Sequence, residues 1–360
     1  MSNSNNISSP ITVRIELNNS EYKAKDRQNL TYTLVNNSDV RVNVLKWHTP
    51  IDGIEDDIFK VEKQENLATY LGLIKKRGLP RPEDYVTIDP KGSISTDLDL
   101  AEVYDISQAG SYTVEFVSPL LNFEQDESEG LKRKVSDMRK FTPEIIRSNT
   151  AKFKLIEDRE SKQEGGVDLR WKDTMRKRAR EGGTSSFQHC STSQTEAISE
   201  ALSNAKVIAS ESLSLLSQTP EGSRPNSSRY KEWFGEYDGD RYNKVALNFN
   251  NIHNTIVDQS ITFNCSFIDC DASTYAYVYA VRPYEIFLCN LFWNAPMTGT
   301  DSKSGTIIHE LSHFNIIAGT RDNVYSQNAC RQLAIDNPAV AISTADNHEY
   351  FAENTPQLPN

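Results

Sequence analysis

The sequence predicts an α+β protein of more than one domain: an all-β domain first, then a mostly helical one with a small sheet. Three observations carry this. Apolar residues alternate with polar ones in several runs between residues 10 and 157, which is the period of half-buried strands. From Cys190 onward they recur at three and four instead, the period of helices with one buried face. Between the two, residues 158–189 are rich in Lys, Arg, Glu, Gly and Ser and poor in core formers, the composition of a linker.

The expected domains are therefore a β-sandwich at 10–157, a basic flexible linker at 158–189 and a second domain at 190–360. In the first, Ile11, Val13, Ile15 and Leu17 alternate with polar neighbours, as do Leu30, Tyr32 and Leu34, then Val42 and Val44. Ile94, Leu98 and Leu100 share a parity, and Tyr112, Val114 and Phe116 repeat the pattern. Turn-rich segments such as Asn36-Asn37-Ser38-Asp39 separate the runs. Several short strands of this kind predict a sandwich that is Ig-like in size. Trp47 is expected in its core. The basic stretch Leu73-Ile74-Lys75-Lys76-Arg77-Gly78-Leu79-Pro80 reads as a solvated loop, with recognition by the acidic second domain as the other reading. The linker run Arg176-Lys177-Arg178-Ala179-Arg180-Glu181-Gly182-Gly183 is expected to be exposed and open to proteolytic nicking.

In the second domain, Ser193 and Glu196 are spaced as a capping box. Ala197, Ile198, Ala201, Leu202, Ala205, Ile208, Ala209, Leu213 and Leu216 then mark a helix that ends before Pro220. A second helix is expected at about 238–257, followed by strands at Ile261-Thr262-Phe263, Tyr275–Ala280 and Glu285–Cys289. Cys270 and Cys289 bracket this small sheet, where a bridge would cross it.

The most informative stretch is Gly305 to Asp322. It contains His309-Glu310-Leu311-Ser312-His313 on a helix expected at about 302–318, stopped by Gly319. Positions four apart on a helix lie one above the other, so His309 and His313 can share one ion. Glu310 beside them can hold a water on that ion. Asp322 follows on a segment able to fold back toward the imidazoles. Farther on, Asn337-Pro338 reads as an N-cap with proline at the first helical position, opening a helix through Ala345 and Tyr350. Asp346 and Glu349, three apart, share a face of it. Both carboxylates repel unless something basic lies between them, and a lysine ammonium fits.

Charge narrows the partners. The net charge is −11, from 39 Lys+Arg and 50 Asp+Glu. Residues 184–360 hold 10 basic against 19 acidic side chains (−9), which leaves 39 − 10 = 29 against 50 − 19 = 31 (−2) for the rest. A strongly acidic second half argues against nucleic acid and suits basic substrates. No apolar run is long enough to span a membrane, and Met1–Asn6 is polar, without a signal-peptide core. The five cysteines, Cys190, Cys265, Cys270, Cys289 and Cys330, all lie in the second half. That clustering points to one or two disulfides and an oxidising compartment.

These residues resemble the aspzincin family of zinc endopeptidases, the deuterolysins and peptidyl-Lys metalloendopeptidases. Beyond His309–His313, the resemblance rests on Gly319-Thr320-Arg321-Asp322, Tyr325, Arg229-Tyr230, Trp233-Phe234-Gly235, Arg241-Tyr242-Asn243, Tyr275–Tyr279 and Phe292–Lys303. It spans Cys190 to Asn354. It implies a zincin catalytic domain binding one Zn2+ through His309, His313 and Asp322. Glu310 would be general base and then acid, and Tyr325 would support the oxyanion. Asp346 and Glu349 would read a lysine just after the cut bond, and the disulfides would be Cys190–Cys265 and Cys270–Cys289. Cys330 would be left unpaired. The first domain resembles the propeptide of such enzymes.

The expectation is thus a secreted zinc endopeptidase made as a zymogen, hydrolysing the bond on the amino side of lysine in protein or peptide substrates. Its own prodomain would be an intramolecular inhibitor, with Lys75 or Lys76 offered to the acidic pocket. The rival readings are a catalytically dead peptidase-like binding protein and a toxin of the same chemistry delivered inside cells.

Overall fold

A computed structural model describes residues 10–23, 26–120, 122–124, 144–157 and 185–359. Alternation in the first half becomes strand. In chain order these are β1 (Ile11–Leu17), β2 (Glu21–Lys23), β3 (Asn29–Asn36), β4 (Val42–Leu45), β5 (Phe59–Lys63), β6 (Asn66–Leu67), β7 (Leu73–Arg77), β8 (Tyr85–Ile88), β9 (Ser93–Asp99), β10 (Gly110–Leu120), β11 (Asn122–Glu124), β12 (Glu144–Arg147) and β13 (Ala151–Ile156). Along β1, β3 and β10 every second residue is buried, because successive side chains leave a strand on opposite faces.

The chain packs as two units, and β7 belongs to the second. The first unit is β-rich, with sheets ordered β1-β3-β9, β2-β13-β10-β5-β6 and β11-β4-β8, and with β12 also paired to β10. Its core includes Leu30, Tyr32, Leu34, Val114 and Phe116, and Trp47 is buried as expected. Phe116 packs against Tyr32 and Phe59 with ring centroids 5.1 and 5.6 Å apart.

The second unit holds residues 73–80 and the described residues from 185 on. Its strands β14 (Ser186–Gln188), β15 (Thr262–Asn264), β16 (Thr274–Tyr279) and β17 (Glu285–Leu288) join β7 in one mixed sheet, order β14-β15-β17-β16-β7. Its helices are α1 (Thr192–Gln218), α2 (Ser228–Phe234), α3 (Gly239–Asp258), α4 (Asn290–Asn294), α5 (Lys303–His313), α6 (Gln327–Asp336), α7 (Pro338–Ala341) and α8 (Ala345–Glu353). Ile252, Phe249, Ile307, Leu311, Trp233 and Phe351 lie in the core between them. Two disulfides fasten the sheet region, Cys190–Cys265 and Cys270–Cys289, and Cys330 is a free, buried thiol. No described helix is long and apolar enough to cross a membrane.

Several boundaries differ from the sequence reading. Residues 73–77 are not a solvated loop but the edge strand β7, with Ile74, Lys75, Lys76 and Arg77 buried. Three consecutive cations hide the strand pattern, and the partner that orders it lies far along the chain. Strand β14 falls inside the stretch read as linker, whose basic run Arg176–Gly183 lies outside the described residues. The capping box of α1 is Ser191 with Gln194 rather than Ser193 with Glu196, because Gln194 reaches back to the Ser191 backbone N–H. The helix expected from Pro338 through Tyr350 is two helices, α7 and α8, separated at Ile342–Thr344, where Arg321 pairs with Thr344.

Helix α5, the motif helix, ends at His313 rather than near residue 318. The apolar period runs on through Phe314 and Ile317, but the chain turns back instead. Gly319, at φ +61°, supports that return, and the Thr320 N–H then donates to the Ser312 carbonyl at 3.1 Å. The helix is also buried along its whole length, not on one face. Its start is fixed from α8. Glu353 accepts from the Ser302 N–H at 2.8 Å and from its hydroxyl at 2.7 Å, while Ser302 Oγ caps Gly305 N–H at 2.9 Å. Glycine at 305 leaves room for this contact, since a Cβ there would lie 2.1 Å from Glu353 Oε1 and force that carboxyl to shift.

Candidate active site

On α5, His309 and His313 stand one turn apart, their ring centroids 4.8 Å from each other. The return of the chain after Gly319 brings Asp322 against both. His309 Nε2 is 3.0 Å from Asp322 Oδ1, and His313 Nε2 is 3.6 Å from Oδ2. All three side chains are buried. Their Nδ1 atoms are engaged elsewhere: His313 Nδ1 donates to the Thr320 carbonyl at 2.9 Å. His309 Nδ1 lies 3.0 Å from Asp346 Oδ1 and 3.1 Å from Glu349 Oε2. With Nδ1 engaged on both rings, each Nε2 is the ring atom turned toward Asp322 and the one available to a metal ion.

The set fits a zinc ion on its own terms. Four-coordinate zinc with ligands about 2.1 Å away puts neighbouring donors roughly 3.4 Å apart, close to the 3.0 and 3.6 Å seen. Both histidine Nε2 atoms and both Asp322 oxygens are buried without a hydrogen-bond partner among the described residues. Such groups are costly unless something else satisfies them. His309, Asp346 and Glu349 also lie close enough to hold a cation, but that set already receives the Lys76 ammonium.

Glu310 is buried beside the imidazoles, and neither of its carboxylate oxygens has a hydrogen-bond partner among the described residues. Burial, partly offset by His309 and His313, pushes its pKa up to about 7. A carboxyl poised near neutrality can take a proton and return it. Asp322 is held well below the usual carboxylate range, because the two histidines outweigh the effect of burial. Tyr325 is half-buried, three residues beyond Asp322 on the way into α6.

The acidic pair on α8 is where the sequence reading put it, and it is occupied. Strand β7 lies antiparallel on β16, with Ala276 opposite Lys76. The Lys76 ammonium is 2.5 Å from Glu349 Oε2, 3.5 Å from Asp346 Oδ1 and 3.9 Å from Asp301 Oδ1. It also lies 5.0 Å over the Tyr275 ring, a cation–π contact. Burial alone would lower the lysine's pKa, yet Glu349, Asp346 and Asp301 together hold it well above its ordinary value. Lys76 is 1% exposed, so the cation is shut in with its carboxylates. Asp301 and Tyr275 were not singled out as site residues from the sequence. Asp301 stands just before the Ser302 cap of α5, and Tyr275 is the extra residue at a register shift in β16.

The wider comparisons agree with this chemistry. Residues 220–353 match a family described as lysine-specific metallo-endopeptidase. An extracellular protease of Aeromonas hydrophila is 35% identical over 332 residues, 92% of this chain and 89% of that one. The chain is an aspzincin. It is a zinc metalloendopeptidase by family, and the Ig-like character expected of its β-rich unit does not enter that assignment. Among other aspzincins, the peptidyl-Lys metalloendopeptidase of Pleurotus ostreatus is 43% identical over 173 residues, 48% of this chain and 98% of the relative. A solved zinc peptidase from Grifola frondosa is 42% identical, covering 47% of this chain and 99% of its own, with a TM-score of 0.43.

Proposed function

We propose that this aspzincin cuts peptide bonds on the amino side of lysine and is made as a latent, exported precursor. The observation that carries the lysine reading is the Lys76 ammonium enclosed by Glu349, Asp346 and Asp301, directly behind the ligand His309. Relatives named as peptidyl-Lys metalloendopeptidases support it. The relative named as an extracellular protease supports export.

His309, His313 and Asp322 would hold one zinc ion, which when bound supplies Lewis acidity to the scissile carbonyl and to the attacking water. Glu310 takes a proton from that water at its carboxylate and passes it to the leaving amide nitrogen. Tyr325, in this reading, donates its phenol proton as a hydrogen bond to the carbonyl oxygen as that oxygen gains charge. The three carboxylates fix the lysine after the cut bond, and Asp346 and Glu349 also orient the His309 ring. A substrate that takes the place of β7 along β16 gains main-chain hydrogen bonds as an added strand.

The same contact supports latency. Lys76 fills the lysine pocket from within the chain, so an external lysine has to displace it. The β-rich unit, an Ig-like sandwich in this reading, would be the prodomain, and residues 158–189 the segment cut on activation.

The test is digestion of a defined peptide mixture with cut sites read by mass spectrometry. Cuts should fall before lysine, and Asp346→Asn should lower kcat/KM for those sites far more than it changes zinc content. An unchanged cut-site preference in Asp346→Asn would sink the lysine reading. For latency, Lys76→Ala in the intact chain should hydrolyse a lysine peptide faster than wild type, and equal rates would refute it.

A further inference from the structure

Strand β7 carries more than the pocket lysine, and its neighbours meet a second carboxylate. Arg77, the next residue, donates from Nη1 to Asp271 Oδ2 at 2.9 Å. Lys75, the residue before, approaches the same oxygen at 3.5 Å. Residues one apart from Lys76 leave the strand on its other face, so Asp271 belongs to a different subsite from Glu349, Asp346 and Asp301.

Asp271 is built for this position. Its other oxygen, Oδ1, accepts from the Ser273 N–H at 2.9 Å, the Ser273 hydroxyl at 2.7 Å and the Thr274 hydroxyl at 2.7 Å. Three donors on one oxygen hold the carboxylate rigid and turn Oδ2 outward toward the strand. The preceding residue, Cys270, is bonded to Cys289, so the loop carrying Asp271 is tied to the end of β17. Burial would raise the Asp271 pKa, but Arg77 and these donors outweigh it and hold the group ionised. The main chain is in register here too: the Gly78 N–H donates to the Ser273 carbonyl at 2.7 Å, beyond the pairing of Arg77 with Thr274.

We propose that Asp271 is a specificity residue that selects a basic residue immediately after the lysine, so that preferred substrates carry Lys-Arg or Lys-Lys. This rests on the reading of Lys76 as the residue after the cut bond, which makes Arg77 the next one along. The class of substrate is then polybasic peptide, not lysine-containing peptide at large. It also gives the acidic second half a use beyond a single pocket.

The test uses two peptides that differ only in the residue after one lysine, Arg or Glu, with the intact chain as enzyme. The ratio of their kcat/KM values is the readout, since it does not depend on the fraction of molecules whose cleft is open. Where the intact chain turns over too slowly, the same pair is read in the chain carrying Lys76→Ala. Wild type should favour Arg by about three- to tenfold, the scale of one charge-assisted contact near the surface. Asp271→Asn keeps the oxygen that Ser273 and Thr274 bind, and should bring the ratio close to one. Asp271→Lys should reverse it, an outcome that simple loss of loop structure does not produce. A wild-type ratio near one, or a ratio unmoved in both variants, overturns the proposal. Cuts that do not precede lysine at all sink this proposal together with the lysine reading, and the cut positions identify that case.

Discussion

Glu310 has two imidazoles for neighbours and no hydrogen-bond partner for its carboxylate among the described residues. On the proposed mechanism its work is proton transfer, not metal binding. Glu310→Gln should therefore lower kcat by about 10²–10⁴-fold, with zinc content by atomic absorption unchanged. A variant that loses its zinc instead would assign Glu310 to holding the ion. Gly305 is limited by space. Alanine there would drive a methyl carbon to 2.1 Å from Glu353 Oε1 and 3.0 Å from Glu349 Cγ. The expected loss is about 1–3 kcal/mol, typical of overpacking, measured by denaturant unfolding. Glu353 gives a pH prediction. Burial first, then the charge of Glu349, push its pKa from 4.5 up to about 9. The native state thus keeps a proton that the unfolded chain releases, and stability from this group is lost as pH rises between those values. Glu353→Gln should flatten that part of the stability–pH curve, and parallel curves in urea melts at pH 5, 7 and 9 would rule it out.

Elements were legible where the apolar period was local. Strands β1, β3 and β10 and helices α1 and α3 follow it closely, whereas β4, expected to have one wet face, is buried on both. The motif helix shows where that stops. Phe314 and Ile317 continue the helical period, and only the need to bring Thr320 and Asp322 back to His313 ends α5 early. A tertiary contact overrode a local signal. His309, Glu310, His313 and Asp322 were legible because motif and spacing are local, and Asp346 with Glu349 because three residues make one helix face. Asp301 and Tyr275 were not, since their importance depends on a strand contributed from residues 73–77. The sequence of β7 reads first as a solvated loop, because Lys75, Lys76 and Arg77 look like free charge; the other reading, recognition by the acidic second half, matches the contacts of Lys76 with Asp346 and Glu349. The Cys270–Cys289 bond sits where these elements meet, and replacing both cysteines by serine should cost about 2–4 kcal/mol of stability. A thermal melt of the second unit that does not move would show the bond to be dispensable.

At the scale of the whole chain, the proposed ligand set would link zinc binding to the fold of the second unit. His309, His313 and Asp322 come from α5 and from the loop after it, so an ion held by all three favours the folded form over the unfolded one. Stripping the metal with a chelator should abolish peptidase activity and lower the unfolding temperature together, and added zinc should restore both. Activity that persists in demonstrably zinc-free protein would contradict the assigned ligands. Lys76 precedes its carboxylate partner Glu349 by 273 residues. Chains are made from the N-terminus at about 5–20 residues per second, so the lysine is synthesised on the order of tens of seconds before the pocket that receives it. If latency holds, the order of translation is itself a safeguard. No ribosome releases the pocket ahead of its occupant, and a chain cut short before α8 has Lys76 but lacks Asp346 and Glu349, the pair that receives it. The risk runs the other way, to internal starts or breaks after residue 80, which would yield the second unit without β7 inside the cell that makes it.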